Sequence, residues 1–367
     1  MVNEGGSMNN TVTMIAVGDI TLISKSKGNP FKNVIHILKG KDIVFGNLEV
    51  VLTSNGTPVK KRTVLRTEPE KAWYLHEAGF NIMNIANNHI LDYGTDGYYS
   101  TIRTLKQYGI HYVGIMGSDR YIIIRKKGVR IGILAYSSSN IVTVRGIKSM
   151  VRDVRDLKKN VDVLIVSLHW GIEYTPYPTP AQQKLARKLI DHGADIILGH
   201  HPHVVQGLER YKNGLIVYSL GNFQFDLRID NMYKYEGTDK GLVVELALLH
   251  KGLKDYRVIP IKINDDYEPV EMEPEEKRKF LAYLKHIQQQ LESSSVSEGK
   301  WLIEAAELYL KSNVEAFADV IRKLGFLGLL ILLTWIIRPL TLKTLVGLII
   351  KNLLPLKSNI WNVTIYS

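Results

Sequence analysis

The chain has 367 residues, 45% of them hydrophobic, which is enough apolar material for a sizeable core and enough length for two domains or one with an appendage. Cysteine is absent, which excludes disulfides and thiolate ligands; a bound metal must be held by His, Asp, Glu or Asn, a donor set suited to Mn, Zn, Fe, Ni or Mg. The net charge of +11 is spread along the sequence and by itself selects no partner; no nucleic-acid partner is expected.

Residues 1–11 are polar and lack the basic start and apolar stretch of a secretory signal, so no N-terminal signal peptide is expected. Residues 12–17 read as a strand that ends in Gly18-Asp19. In open α/β sheets ligands lie beyond the carboxyl ends of the strands, so Asp19 is a candidate; an aspartate that merely closes a turn is the plain alternative. Residues 31–38 read as a helix. A buried strand at 42–45 closes on Gly46-Asn47-Leu48-Glu49, with Asn47 and Glu49 on one face. The polar loop at 53–62 carries Lys60, Lys61 and Arg62, with Arg66 just beyond, and these suit an anionic substrate or a solvated surface. A helix at 69–79 stops at Gly79, and a strand at 81–86 runs into Asn87-Asn88-His89, with Asp92 and Gly94 behind. An Asn oxygen of this pair is a plausible ligand and the neighbouring His89 a plausible acid, base or anion donor; an Asx-capped turn is the alternative.

A helix at 95–108, a strand at 110–113, a hairpin at 121–136 turning near Lys127-Gly128 and a basic helix at 152–159 follow. The apolar strand at 161–168 delivers His169, then Trp170-Gly171 and Glu173. A helix at 180–192, capped by Gly193, leads into a strand at 194–198 and then Gly199-His200-His201-Pro202-His203. Neutral imidazole is a common ligand for divalent metals, and histidines at i and i+2 on a turn can converge on one centre. Strands at 204–208 and 215–218 flank a turn at Asn213-Gly214. Ser219-Leu220-Gly221-Asn222-Phe223 comes next, and Asn222 is placed to approach the site without any chemistry it must perform. Residues 241–249 and 256–263 are β-rich. The pattern gains weight by recurrence: five of the 11 histidines (His89, His169, His200, His201, His203) fall at or just after strand ends.

Taken together, Gly18-Asp19, Asn47-Leu48-Glu49, Asn87-Asn88-His89 with Asp92 and Gly94, His169-Trp170-Gly171 with Glu173, Gly199-His200-His201-Pro202-His203 and Ser219-Leu220-Gly221-Asn222-Phe223 resemble the CapA (PgsA) family. That is the family of capsule or poly-γ-glutamate synthesis proteins related to calcineurin-like metallophosphoesterases. The resemblance runs from about residue 12 to about residue 263. It implies an α/β fold, a four-layer αββα sandwich, with one or two divalent ions (Mn, Zn, Fe or Mg) held by strand-end loops. Carried over by motif, Asp19 would bind a first metal, Glu49 would bridge, Asn88 and His169 would bind a second, and His201 and His203 would divide between the two. His200 is a substitute ligand, Asn47, Glu173 and Asn222 are further candidates, and His89 with Asp92 would serve catalysis. One departure is plain. The related phosphoesterases begin Asp-x-His, and here Thr21 stands where that histidine would be, so one ligand of the first metal is missing or replaced.

The resemblance implies metal-dependent hydrolysis in the synthesis, processing or export of an anionic cell-surface polymer such as poly-γ-glutamate, with synthase or export subunits as partners. Two rivals stand beside it: a phosphoesterase acting on a small or lipid phosphate, and a non-catalytic membrane-tethered scaffold of a polymer synthase. Residues 12–268 are expected to form the catalytic domain and 269–319 a charged helical linker. Residues 320–367 contain no Asp or Glu, six basic residues and an apolar run at 324–337. A spanning helix needs about 20 apolar residues, so this run is short for a span and suits the membrane interface; a hairpin packed on the domain is the alternative. Membrane association through 320–367 is expected.

Overall fold

Period-two alternation builds the first sheet and decides which way its residues face. In β1 (Val12–Ile20), Met14 and Ala16 enter one buried cluster and Ile15 and Val17 another, as opposite faces of a pleated strand must. The computed structural model describes residues 11–292 except 26, 116 and 138–143, together with isolated positions 318, 321, 322, 332 and 345. In this sheet β1 lies beside β2 (Ile43–Leu48), β5 (Ile82–Asn84) and β6 (His111–Val113), all parallel. On its other side run the antiparallel strands β14 (Lys240–Leu249), β15 (Gly252–Ile263) and β16 (Pro269–Glu271). The second sheet has the order β11 (Leu208–Tyr211), β12 (Gly214–Val217), β10 (Ile196–His200), β9 (Val163–His169), β8 (Val129–Ser137), β7 (Tyr121–Lys126). A small ribbon pairs β3 (Val51–Leu52) with β4 (Arg66–Thr67).

Met14, Ala16 and Phe45 pack against residues of the second sheet such as Ile131, Val163 and Leu198, and the same cluster continues to the helices beyond it. Those are α4 (Val144–Lys158), through Met150 and Val154, and α5 (Pro180–Asp191), through Leu185 and Leu189. On the far face of the first sheet, Ile15, Val17 and Val44 meet α1 (Ile35–Leu38), α2 (Ala72–Ala78) and α3 (Gly94–Gln107) through Leu38, Leu75, Ile102 and Leu105. The order helix, sheet, sheet, helix is the expected four-layer αββα sandwich. α5 starts where its sequence says it should: Thr179 and Gln182 form a reciprocal capping box and Pro180 occupies the first turn.

At the level of the polar strand ends, the segment 218–224 ties the two sheets together. Leu220 donates its N–H to Gly199 O of the second sheet at 3.0 Å, and two residues later β13 (Asn222–Gln224) pairs with β1, setting Asp19 opposite Asn222. This crossing passes so close that three glycines have no room for a side chain. A Cβ would lie 1.9 Å from Gly221 O at Gly18, 1.9 Å from Tyr218 O at Gly199 and 2.1 Å from Asn222 O at Gly241.

The expected domain boundary at 268 falls inside this packing. β16 extends the first sheet, and α6 (Pro274–Glu292) buries Phe280, Leu284, Ile287 and Leu291 in the main core, so residues 269–292 belong to the domain instead of a linker. The hairpin expected between 204 and 218 turns at Lys212-Asn213, with Lys212 in the left-handed region, and its first strand starts four residues later than expected. The remainder of the expected linker and nearly all of 320–367 lie outside the described residues. Among the described residues no helix is long and apolar enough to cross a membrane.

Candidate metal centre

Register brings the polar strand ends to one level. β1 sets Asp19 beside Asn47 of β2, β2 sets Asn47 beside Asn84 of β5, and β9 sets His169 beside His200 of β10. Glu49 follows β2, Asn88 and His89 follow β5, and His201 and His203 lie in the turn after β10. That turn is tight enough to place both His201 (φ 95°) and His203 (φ 59°) in the left-handed region. Such backbone costs about 1–3 kcal/mol per residue and is held only where the surrounding structure fixes it, as it is at functional sites.

Glu49 lies at the middle of the cluster. Its side chain is fully buried and neither carboxylate oxygen has a hydrogen-bond partner. Instead Oε1 stands 3.5 Å from His169 Nε2, 3.9 Å from His203 Nε2 and 3.9 Å from His89 Nε2. Asn88 Oδ1 converges on the same His169 nitrogen at 2.7 Å. Two triads share this carboxylate: Asp19, Glu49 and His169, and Glu49, His201 and His203, each offering donor atoms within 4.8 Å of one another.

The electrostatics match a cation site. Burial, reinforced by Asp19 and Glu173, pushes the Glu49 carboxyl well above its usual range. Burial also lowers His169, His203 and His201, the last to about 4, so their rings are neutral with lone pairs available. For Asp19 burial acts upward, yet His200, His203 and Asn47 bring the carboxyl below its ordinary value. A buried carboxylate without hydrogen bonds, ringed by neutral imidazoles, is a costly arrangement that a divalent cation resolves. The residues present therefore fit the metal that their pattern implies.

Around these donors lies a layer of amides that orients them. Asn47 donates to Asp19 Oδ1 at 2.8 Å and accepts from Asn84 (2.9 Å) and Asn87 (3.2 Å). Both ends of that amide are in use, so Asn47, expected as a further ligand, instead steadies Asp19. Asn222 is similarly engaged: its Oδ1 faces His203 Nδ1 at 2.9 Å and its amide nitrogen donates to Thr238 O, which leaves His203 Nε2 turned toward Glu49. The chemistry that the sequence left unassigned at Asn222 is this fixing of a ring. Asn84 and Asn87 carried no assigned role in the sequence, although an asparagine inside the apolar run 82–86 is itself a signal of a buried polar contact.

His89 and Asp92 form a second unit at the mouth. Asp92 Oδ2 lies 2.7 Å from His89 Nδ1 and accepts from Leu65 N, while Oδ1 accepts from Lys61 Nζ at 2.8 Å. Lys61 also donates to Asn88 O. Of the basic loop residues, Lys61 thus belongs to the site, and Arg62 lies 3.5 Å from Asp230, which also accepts from the Thr63 hydroxyl. Arg66 sits over the Tyr93 ring. Glu173 is partly buried near the same mouth, within reach of the charges of His203, His89, Asp230 and Arg62, and burial raises its carboxyl. Thr21, two residues after Asp19, is fully buried with its hydroxyl unpartnered.

Residues 13–227 match the family model described as "Bacterial capsule synthesis protein PGA_cap". The capsule biosynthesis protein CapA of Bacillus anthracis is 35% identical over 288 residues, covering 70% of this chain and 69% of that protein. The PGA biosynthesis protein CapA of Bacillus subtilis (strain 168) is 31% identical over 278 residues, covering 68% and 71%. Among solved structures, a phosphatase from Mycoplasma pneumoniae superposes with a TM-score of 0.49 at 15% identity, covering 71% of this chain and 97% of that one. The matched region contains every cluster residue from Asp19 to Asn222, and on that ground the protein belongs to the PGA_cap family of bacterial capsule synthesis proteins.

Proposed function

We propose that this chain is a metal-dependent hydrolase that acts in the synthesis, trimming or export of an anionic cell-surface polymer such as poly-γ-glutamate. The observation that carries the proposal is Glu49, whose buried, unpartnered carboxylate faces neutral imidazoles. Asp19, Glu49, Asn88, His169, His201 and His203 would hold one or two divalent ions. A divalent ion held there supplies Lewis acidity, which polarises the bond to be cut and acidifies water. The protein's own groups do the rest. Asp92 fixes the His89 ring through Nδ1, so that His89 Nε2 points toward Glu49 and is the atom that gives or takes a proton. Lys61 and Arg62, partly exposed and paired with Asp92 and Asp230, bring basic side chains to the edge of the cluster. The names of the Bacillus relatives place those proteins in capsule and PGA biosynthesis and favour that polymer over a generic phosphoester.

The test uses the full chain purified without chelator. Bound Mn, Zn and Fe are counted by elemental mass spectrometry, and cleavage of γ-linked glutamate oligomers is followed beside that of aryl phosphates. Metal-dependent cleavage of the oligomers, lost in His89→Ala, is the expected result. Cleavage of the phosphates alone would make the chain a phosphoesterase, and bound metal without either activity would leave it a polymer-binding scaffold.

A further inference from the structure

We infer that His200 is itself a ligand of the metal centre, completing the position built on Asp19. The inference rests on the reading of the cluster as a metal centre and adds a donor to it. The donors around Glu49 are uneven. Asn88 meets His169 at 2.7 Å and the His201 ring centroid lies 4.7 Å from that of His169, while Asp19 stands 3.5 Å from His203, and Thr21, two residues on, is buried with a hydroxyl that has no hydrogen-bond partner. His200 is fully buried on β10, and neither of its ring nitrogens has a hydrogen-bond partner. Its Nδ1 stands 3.3 Å from Asp19 Oδ1. Two donors on one zinc-sized ion, each about 2.0–2.2 Å from it, stand roughly 3.0–3.5 Å apart, and this pair has that separation.

A structural role accounts for less. Buried imidazoles kept for packing are ordinarily hydrogen-bonded; Nε2 of this one has no partner, and Nδ1 faces the Asp19 carboxylate at 3.3 Å. Asp19 needs no further orienting group, since Asn47 donates to Oδ1 at 2.8 Å and His201 N to Oδ2 at 3.3 Å. The ring is delivered by the strand, not the turn: His200 pairs across from His169, and its ring centroid lies 6.3 Å from that of Phe45 between the two sheets. An apolar ring of similar size therefore fits the same space.

The experiment titrates the metal-stripped full chain with Co(II), counts bound ions and records the visible cobalt spectrum, for wild type, His200→Phe and His200→Gln. The expected result is that both variants hold one ion fewer than wild type, or hold it more than about 100-fold more weakly, beyond the 10–100-fold typical of a residue that only supports a ligand. Both should keep the wild-type circular dichroism. Wild-type ion count and spectrum in both variants would overturn the inference. So would loss of the ion in His200→Phe with an unchanged spectrum in His200→Gln, because the Gln amide can still donate to Asp19; His200 would then be a positioning residue. Should His200→Phe fail to fold, His200→Gln decides by the same spectrum. A wild-type chain that binds no Co(II) would instead remove the metal-centre reading as a whole, a result distinct from a failure at His200 alone.

Discussion

At the scale of single residues, Glu49 sets the pH behaviour of the centre. Its carboxyl is raised in the folded protein, first by burial and then by Asp19 and Glu173. A group with a raised folded pKa contributes stability that is present below its unfolded value, near 4.5, and is lost as pH rises through the folded value. Metal-stripped protein should therefore lose stability on going from pH 5 to pH 8, and Glu49→Gln should raise the Tm at pH 8 while changing it little at pH 5. Divalent metal should reverse the loss in wild type, by about 2.7 kcal/mol at 100 times its Kd, and do much less for Glu49→Gln. Calorimetry with and without Mn checks this; equal metal stabilisation of both chains would remove Glu49 from the centre. Asp92 has the opposite sign. Burial raises it, but His89, Lys61 and Leu65 N–H bring it below its ordinary value, so its contribution is present above pH 4 or so and fades as acid protonates it.

At the scale of elements, the crossing segment that ends in β13 matters more than its length suggests. It ties β10 to β1 and thereby fixes the spacing between His200 and Asp19, and it does so by running over Gly18, Gly199 and Gly241. An added methyl at Gly18 or Gly199 meets a carbonyl oxygen at 1.9 Å, and neither backbone can yield without parting the two sheets. Gly18→Ala and Gly199→Ala should each cost more than about 4 kcal/mol or prevent folding. Gly28→Ala is the control: a Cβ there has no neighbour within 4 Å, and it should stay within about 0.5 kcal/mol of wild type. Urea titration separates the two classes, and a mild effect at Gly199 would mean that the crossing is not tight.

At the scale of the molecule, α6 closes the domain. Arg187 pairs with Glu209 and donates to Leu291 O, clamping the end of the helix to the second sheet. Phe280, Leu284, Ile287 and Leu291 go into the core from this helix beside Tyr283, each of the four contributing about 1.5–3 kcal/mol when buried. A chain ending at residue 273 should lose on the order of 5 kcal/mol or more relative to one ending at 292, an upper-end figure because unfolded chains already hide some surface. Equal urea midpoints would contradict that packing. The basic residues of 320–367 lead to a separate expectation: the full chain should sediment with anionic vesicles in low salt, and the chain ending at 292 should not.

By itself the sequence determined most of the strands, the helices between them and the polar strand ends, because period-two and helical patterns are local and a buried strand that ends in Asp, Asn or His is visible without a fold. From the same local evidence Asp19, the Asn87-Asn88-His89 run, His169 and the Gly199–His203 histidines stood out one by one as polar strand ends; grouping them with Glu49 as one ligand set came from the family resemblance. What only the tertiary structure decided was non-local. Asn47 and Asn222 turned out to have both amide ends engaged, which depends on partners 28 and 19 residues away. Lys61 joined Asp92 across a loop, and Gly18 and Gly199 proved to be where two sheets are laced together. α6 read as a linker because a charged amphipathic helix shows its apolar stripe but not the surface that receives it. Which polar atoms are left without a partner is likewise a property of the packed interior, so the setting of His200 beside Asp19 exists only once the two sheets are packed.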